Sequence, residues 1–417
     1  MNKKILHTPE GVRDIYPIEC RKKLVLQNTL HKTIQSYGYQ DIQTPTLEFS
    51  EVFSKEIGSI ESNELYRFFD RDGNILVLRP DITPSIARAI STTLNENDPL
   101  GKFCYTGNTF INHNSYQGRL KENTQLGAET IGIDSVESDA EMIAMVVDVL
   151  QSARLEEFQV SMSHVDYFNA LMTEAHLQTE TDEILRDLYE NKNYFGVNEV
   201  LDKCEISKEL ANAFRILPDL VGGVEIFPIA KEVAPNQVAL EAIERLENIA
   251  KVLDMYGVLN HITFDLSMSG TYGYYTGIIF RAFTFGIGGA IVKGGRYNQL
   301  LQHFGKHVPA IGFAITIDDL FNAISRQKIV IPHQLDNYVI LYDDCMTEKA
   351  IRLATNFRFN NRVTELIKKE LHHEIDFYIE YAKRNFGNCV LYLKADYTAQ
   401  AINLLDDSQQ IINLKVE

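Results

Sequence analysis

The segment Gln125-Leu126-Gly127-Ala128-Glu129 decides the fold of this chain, because it stands inside an ordered series of short motifs. The motifs before it are Thr8-Pro9-Glu10-Gly11-Val12-Arg13-Asp14, Arg79-Pro80-Asp81-Ile82-Thr83 and Gln117-Gly118-Arg119. The motifs after it are Tyr274-Tyr275, Gly294-Gly295-Arg296-Tyr297 and Pro309-Ala310-Ile311-Gly312-Phe313-Ala314. One motif of this length arises by chance, whereas the whole series in this order does not.

Taken together, these motifs resemble the histidyl branch of the class II aminoacyl-tRNA synthetases. The resemblance implies an α+β fold with a class II synthetase-like antiparallel sheet, flanking helices and a small C-terminal α/β domain. We expect the synthetase-like domain over residues 1–330, with a mostly helical insertion at about residues 165–260. Residues 335–417 resemble a degenerate anticodon-binding domain.

Within that branch, the motifs are most similar to the family of ATP phosphoribosyltransferase regulatory subunits. Arg79–Thr83 reads Arg-Pro-Asp with a nearby Thr, where the synthetase reads Arg-Pro-Glu-Gly-Thr. The segments Gly118–Gln125 and Tyr274–Gly277 also resemble the corresponding segments of this family. Members of the family partner the short catalytic subunit in the first step of histidine biosynthesis. The resemblance therefore implies a non-catalytic subunit that mediates feedback by histidine.

Three arginines of the synthetase motifs are replaced in this chain. Ile111, Gly270 and Asp319 stand at those positions. Formation of an aminoacyl adenylate develops negative charge on the α-phosphate, which fixed cations must stabilise. Losing a single preorganised donor typically costs ~3 kcal/mol of transition-state stabilisation. We therefore predict that efficient adenylation is lost.

Three other arginines are retained and are candidate anion contacts. Arg79, Arg119 and Arg296 keep the positions that the synthetase motifs give them. A purely structural role, in which they support the loops or the fold, remains open for each.

The amino-acid half of the synthetase pocket is better kept than the phosphate half. By resemblance, Asp81, Thr83 and Gln125 stand where the synthetase holds the ammonium group of histidine. Glu129 and Tyr275 stand where it contacts the imidazole, and Tyr274 is their neighbour. A carboxylate and hydroxyl groups suit a cationic amine and a ring with two nitrogens. The alternative is an inherited scaffold, in which Tyr274 and Tyr275 pack on alternate faces of a strand.

The composition of the chain limits the kinds of molecule that it is expected to bind. The chain has 417 residues, 45% of them apolar, and a formal net charge of −17. This acidity disfavours tRNA as a partner, since a phosphate backbone is recognised by basic surfaces. We expect no membrane span and no signal peptide, and hence a cytoplasmic protein.

No metal site or cofactor is predicted from residue spacing. The five cysteines are widely spread and form no Cys-x-x-Cys pair, which disfavours disulfides and a cysteine zinc site. His372-His373, and His303 with His307, lack an evidently spaced third ligand.

Local patterns predict several elements. An apolar stripe predicts a helix over residues 18–37, and another predicts a helix over 139–152 with Ser138 and Glu141 in capping-box spacing. Asp72-Gly73 predicts a two-residue hairpin turn between Leu65–Phe69 and Ile75–Leu78. The likeness of Tyr39–Phe53 to the pairing region of class II synthetases predicts a homodimer core.

Two further functions remain open at this point. A divergent histidyl-tRNA synthetase would use substitute cations in place of the three arginines. A free-standing histidine sensor would act on a partner other than the catalytic subunit.

Overall fold

The computed structural model describes residues 6–54, 62–93, 100–113, 119–269, 274–332, 337–385 and 387–414. The chain divides into two compact units, Met1–Ile331 and Pro332–Glu417. Among the described residues, none of the helices combines the length and the apolar character that crossing a bilayer requires.

The first unit contains twelve of the strands and ten of the α-helices in the described part of the chain. Its strands are β1 (Gln40–Asp41), β2 (Leu47–Phe49), β3 (Arg67–Phe69), β4 (Ile75–Leu78), β5 (Gly101–Phe110), β6 (Glu122–Ile131), β7 (Phe158–His164), β8 (Val221–Gly222), β9 (Ile262–Asp265), β10 (Ile278–Thr284), β11 (Val292–Arg296) and β12 (Ala310–Thr316). Its helices are α1 (Pro17–Ser36), α2 (Thr83–Thr93), α3 (Val136–Ser152), α4 (Val165–Ala175), α5 (Thr179–Glu190), α6 (Tyr194–Leu201), α7 (Lys208–Ile216), α8 (Phe227–Glu232), α9 (Gln237–Met255) and α10 (Ile317–Arg326).

A nine-stranded sheet organises this unit, in the order β1-β5-β6-β12-β11-β10-β7-β9-β8. The six neighbouring strands in the middle of this order, β5-β6-β12-β11-β10-β7, all pair antiparallel. At one end, β1 joins β5 in parallel. At the other end, β9 joins β7 in parallel and β8 pairs antiparallel with β9. This arrangement confirms the predicted antiparallel sheet, and helices α1, α3 and α10 pack on it.

The two predicted helices are present, although one begins earlier than its pattern indicated. Helix α1 buries Leu26, Leu30 and Ile34 of the predicted stripe, whereas Tyr37, its fourth residue, is the C-cap and is only half-buried. Helix α3 is capped by Ser135, whose hydroxyl accepts a hydrogen bond from the backbone N–H of Ser138 at 3.2 Å. The predicted cap at Ser138 is therefore wrong, because Ser135 has the extended backbone that a cap requires.

The predicted hairpin forms a small sheet of its own, in the order β2-β4-β3. Its turn is longer than the two residues predicted, since the strands end at Phe69 and resume at Ile75. Asp70 organises the turn by accepting hydrogen bonds from the backbone N–H groups of Asp72 at 2.9 Å and Asn74 at 2.8 Å. Gly73 provides the positive φ of 85°, which glycine adopts without steric cost.

A buried ion network ties the central sheet to the helices behind it. Asp139 on α3 accepts hydrogen bonds from Arg296 Nε on β11 at 2.9 Å and from Arg245 Nε on α9 at 2.8 Å. Arg296 Nη1 also donates to the carbonyl oxygen of Ile133 at 3.0 Å. Asp139 and Arg296 are both buried, so each charge depends on the other for its stabilisation.

The described residues of the second unit form a five-stranded sheet and two α-helices. Its elements are β13 (Asn337–Tyr342), α11 (Thr347–Phe359), β14 (Val363–Lys368), α12 (Ile375–Arg384), β15 (Cys389–Leu393), β16 (Thr398–Asn403) and β17 (Gln409–Asn413). Strands β14, β13 and β15 are parallel neighbours, and β16 and β17 extend the sheet antiparallel. The sequence patterns missed β16, because Thr398–Asn403 contains a single large apolar residue, Ile402, and therefore gives a weak strand signal.

We predict that Asp139→Ala lowers the free energy of unfolding by about 3–5 kcal/mol, because it leaves buried arginine charge without its partner. Asp182→Ala is the matched control, since Asp182 pairs with Arg186 on a partly exposed helix face. Such pairs contribute about 1 kcal/mol or less. Urea unfolding followed by circular dichroism measures both variants, and equal losses would contradict the structural role of Asp139.

Candidate functional site

A cavity of about 140 Å³ opens on the central sheet. Strands β6, β11 and β12 contribute to its walls, together with the segment that leads into α2 and the segment that precedes β10. Six predicted residues line it: Asp81, Thr83, Gln125, Glu129, Tyr274 and Tyr275. Protein cavities of about 150 Å³ bind a benzene-sized molecule, so this one has room for a small ring.

Glu129 lies at the floor of the cavity and is fully buried. Its Oε1 accepts hydrogen bonds from the hydroxyls of Thr83 at 2.9 Å and Tyr105 at 3.1 Å. Its Oε2 accepts one from the hydroxyl of Tyr297 at 2.5 Å. Three hydroxyl groups from three different elements therefore orient one carboxyl group.

The burial of Glu129 changes its ionisation. Loss of contact with water raises the pKa of Glu129 to about 8, against the opposing effect of the three hydroxyl hydrogen bonds. The nearby Asp81 carboxylate raises this pKa as well. Near neutral pH the group is therefore largely protonated, and a cation placed beside it would favour its ionised form.

Gly312 on β12 makes room for this carboxyl group. Gly312 is the cross-strand partner of Glu129, and a Cβ atom at Gly312 would lie 1.6 Å from Glu129 Oε2. Any side chain at position 312 would therefore displace the carboxyl group from the cavity floor.

Asp81 and Gln125 form a second hydrogen-bonded group on the cavity wall. Asp81 Oδ1 accepts from the backbone N–H of Ile82 at 2.7 Å and from Gln125 Nε2 at 3.1 Å. Gln125 Oε1 accepts from the same Ile82 N–H at 3.1 Å. Asp81 thus faces the cavity and also stands at the start of α2, where the helix dipole favours a negative charge.

Tyr274 and Tyr275 lie in the segment before β10 rather than within a strand. Their ring centroids are 4.8 Å apart, and Tyr274 also meets the ring of Tyr297 edge-on at 6.1 Å. Both rings line the same cavity. They therefore do not pack on opposite faces of a strand, and their role as ligand contacts rather than inherited scaffold stays a prediction.

The phosphate side of the site contains few of the expected cations. Ile111 lines the cavity with its apolar side chain, and Gly270 lies outside the described residues. Asp319 is on α10, where burial and the neighbouring Asp318 raise its pKa while Lys293 and Arg119 lower it. Lys293 lines the cavity, and the sequence analysis did not identify it.

Two of the retained arginines are engaged with protein groups. Arg79 donates to the carbonyl oxygens of Asn108 at 2.9 Å and Thr44 at 2.8 Å, and Arg296 belongs to the Asp139 network. Arg119 is exposed and acts electrostatically on Asp319. A role in anion binding stays a prediction for all three, and the contacts of Arg79 and Arg296 favour structural support.

Tyr105 and Tyr297 are site residues that the sequence analysis missed. Tyr297 ends the Gly294-Gly295-Arg296-Tyr297 motif, so the motif contained its signal. Tyr105 lies on β5 beside β6, and only the pairing of these strands brings its hydroxyl to Glu129.

Known proteins are similar to this chain in sequence and in fold. Residues 11–320 match the family described as histidyl-tRNA synthetase. A protein of Thermoanaerobacter sp. (strain X514) named ATP phosphoribosyltransferase regulatory subunit is 37% identical over 372 residues, covering 89% of this chain and 97% of that protein. A protein of the same name from Caldanaerobacter subterraneus subsp. tengcongensis is 40% identical and covers 78% of this chain and 84% of its own length.

Solved structures of known proteins are also similar to this chain in fold. A Bacillus halodurans C protein described as an ATP phosphoribosyltransferase regulatory subunit/histidyl-tRNA synthetase superposes with a TM-score of 0.84 and 28% identity, covering 94% of this chain and 99% of that one. Histidyl-tRNA synthetase from Nostoc sp. PCC 7120 shares the fold, with a TM-score of 0.81, 18% identity and coverage of 98% and 96%. These likenesses define a class II synthetase-like protein. The chain belongs to the family of ATP phosphoribosyltransferase regulatory subunits, which confirms the predicted family.

The raised pKa of Glu129 predicts a specific pH dependence of stability. Between about pH 4.5 and pH 8, the folded chain holds a proton on Glu129 that the unfolded chain has lost. The free energy of unfolding therefore falls as the pH rises through this window, by up to about 1.4 kcal/mol per pH unit from this group. Glu129→Gln should lack this contribution.

Urea unfolding of the parent and of Glu129→Gln at pH 5.5, 6.5 and 7.5 isolates the contribution as a difference between the two proteins. Glu122→Gln, on the same strand but bonded to Asn108, is the control and should keep the slope of the parent. Parallel curves for the parent and Glu129→Gln would show that Glu129 titrates normally.

Proposed function

We propose that this chain is the non-catalytic regulatory subunit of an ATP phosphoribosyltransferase, acts with a short catalytic subunit in histidine biosynthesis, and binds histidine in the described cavity. One observation carries the proposal. The cavity keeps the carboxyl and hydroxyl groups that suit histidine, while two positions for phosphate-binding arginines hold Ile111 and Asp319.

Catalysis of adenylation is disfavoured by charge. A triphosphate beside Asp319 would meet a negative or protonated carboxyl group instead of a guanidinium, and Ile111 provides no hydrogen bond. Each missing donor is worth about 3 kcal/mol in a transition state of this kind. The divergent-synthetase alternative would need other cations to replace them, and Lys293 alone does not replace a set of arginines that bind in bidentate geometry.

Histidine suits the polarity of the cavity. Its ammonium group would bind at Asp81, whose Oδ1 is already oriented by Ile82 and Gln125. Its imidazole would bind at Glu129, between Tyr275 and the hydroxyls of Tyr105 and Tyr297. The imidazole is largely neutral near pH 7, so a charge-assisted hydrogen bond at Glu129 forms when the ring takes up the proton that Glu129 carries, without net release of a proton to solvent.

A homodimer core is supported by apolar surface on the small sheet. Leu47 and Phe49, on the edge strand β2, are 48% and 53% exposed. Both lie in the predicted pairing segment Tyr39–Phe53, and an exposed apolar edge strand favours pairing with another chain. The net charge of −17 supports a protein partner rather than tRNA.

Mixing the purified chain with the short catalytic subunit of the same organism tests the function. We expect light scattering to show a mass above that of either component, and phosphoribosyl-ATP formation to rise on mixing. The isolated chain should give no histidine-dependent exchange of ATP with pyrophosphate. Two unchanged species without a gain in activity would refute the regulatory role, and clear exchange activity would favour the synthetase. Histidine binding without assembly would favour a free-standing sensor.

Variants of the cavity test the histidine site. A charge-assisted hydrogen bond is worth about 1.5–3 kcal/mol, so Asp81→Ala and Glu129→Ala should each weaken histidine binding roughly ten- to a hundredfold. Inhibition by histidine should weaken in parallel, because an effector acts only through its differential affinity for two states.

Titration calorimetry and inhibition assays on the complex measure both effects. Asp182→Ala, a carboxylate substitution on a partly exposed face of α5, is the control and should bind histidine like the parent. If both cavity variants bind histidine and respond to it like the parent, the histidine site lies elsewhere, while assembly with the catalytic subunit can still hold.

A further inference from the structure

A histidine, an aspartate and a cysteine meet at the β1 end of the large sheet, and none of them lines the cavity described above. Asp41 also belongs to the segment Tyr39–Phe53 that we propose for homodimer pairing. His31 is on α1, Asp41 on β1 and Cys104 on β5, and one ligand atom from each lies within 4.8 Å of the other two. His31 Nε2 is 2.5 Å from Asp41 Oδ1, and Cys104 Sγ is 3.4 Å from the same oxygen. Asp41 and Cys104 are partners in the parallel pairing of β1 with β5.

We propose that His31, Asp41 and Cys104 form a binding site for a divalent metal ion of the zinc type. Imidazole nitrogen, carboxylate oxygen and thiolate sulfur are the three ligand types that Zn²⁺ uses in proteins. A soft sulfur ligand disfavours Mg²⁺ and Ca²⁺, which prefer oxygen. Three protein ligands leave the fourth tetrahedral position to water or to another small ligand.

The distances suit a tetrahedral ion with one modest adjustment. Zinc bonds of about 2.3 Å to sulfur and about 2.1 Å to oxygen place those two atoms roughly 3.6 Å apart. The observed separation of Cys104 Sγ and Asp41 Oδ1, 3.4 Å, is close to this value. The His31–Asp41 separation of 2.5 Å must open to roughly 3.3 Å. The Asp41 side chain is 62% exposed, so its carboxylate has room to move.

Neighbouring residues orient the ligands. Thr106 Oγ1 lies 3.5 Å from His31 Nδ1, the ring nitrogen that faces away from Asp41. When Nδ1 carries the proton, the Thr106 hydroxyl accepts it and orients the ring, which leaves Nε2 for the metal. Gln35 Nε2 donates to Asp41 Oδ2 at 2.9 Å, which leaves Oδ1 directed at the other two ligands.

Metal binding requires the loss of a proton from sulfur. Burial raises the pKa of the Cys104 thiol to about 12, and the hydrogen bond to Asp41 acts in the same direction. The sulfur therefore carries a proton when no ion is bound. As the metal binds, the S–H proton of Cys104 and the Nε2 proton that faces Asp41 both leave, and the imidazole binds through Nε2 as the neutral tautomer protonated at Nδ1.

A cobalt titration of the full-length chain tests this site, with Co²⁺ as the spectroscopic probe. The chain is first treated with a chelator to remove any bound metal. We then expect one Co²⁺ per chain to bind and to produce a thiolate-to-cobalt charge-transfer band in the near ultraviolet. Added Zn²⁺ should displace the bound Co²⁺ and remove the band. Cys104→Ser should abolish the band, and Asp41→Asn should weaken Co²⁺ binding by at least about tenfold. Asp41 is exposed, so its substitution keeps the test independent of core folding.

Two controls separate this site from other metal-binding groups. Cys20→Ser changes a half-buried cysteine on the same helix as His31 and should keep the band. His372→Ala disrupts the cluster of Glu370, His372 and His373, which has no sulfur ligand, and should also keep it. Absence of the band in the parent, or its persistence in Cys104→Ser, would overturn the proposal.

Discussion

The site depends on the enclosure of one carboxyl group between two paired strands. Glu129 on β6 occupies space that Gly312 on β12 leaves open, and three hydroxyl groups then hold it in place. Burying a carboxyl group is unfavourable unless it is hydrogen-bonded or protonated. Here three hydroxyl groups donate to it, and burial raises its pKa. The cavity therefore has a polar floor, and the other cavity-lining residues are arranged around it.

The two halves of the ancestral pocket have different chemical character in this chain. The half that suits an amino acid keeps Asp81, Gln125 and Glu129, each oriented by at least one hydrogen bond. The half that would hold phosphates contains an apolar side chain at Ile111 and a carboxyl group at Asp319. A protein that binds an amino acid without activating it needs only the first half, which is consistent with a regulatory role.

Two of the arginines retained from the synthetase motifs hold secondary-structure elements of this fold together. Arg79 connects β4 to neighbouring loops through carbonyl oxygens, and Arg296 connects β11 to α3 through Asp139. These arginines keep the positions of the synthetase motifs, yet their donors face protein acceptors. Retention of a motif residue therefore does not by itself indicate retention of its ligand. At the β1 end of the sheet, His31, Asp41 and Cys104 present ligand chemistry in residues outside the motif series.

The sequence by itself determined the fold class, the family and six residues of the cavity wall. The order of the motifs and the residue types within them can be read directly along the chain, without knowledge of the tertiary structure. It also located helices α1 and α3, whose apolar stripes reflect a period of 3.6 residues. It could not identify Tyr105 as a partner of Glu129, nor the cluster formed by His31, Asp41 and Cys104. Those groups are separated along the chain, and only strand pairing and helix packing bring them together. The sequence also left open whether Arg79 and Arg296 face a ligand or the protein, and the tertiary structure assigned their donors to protein acceptors because burial requires each guanidinium to be hydrogen-bonded.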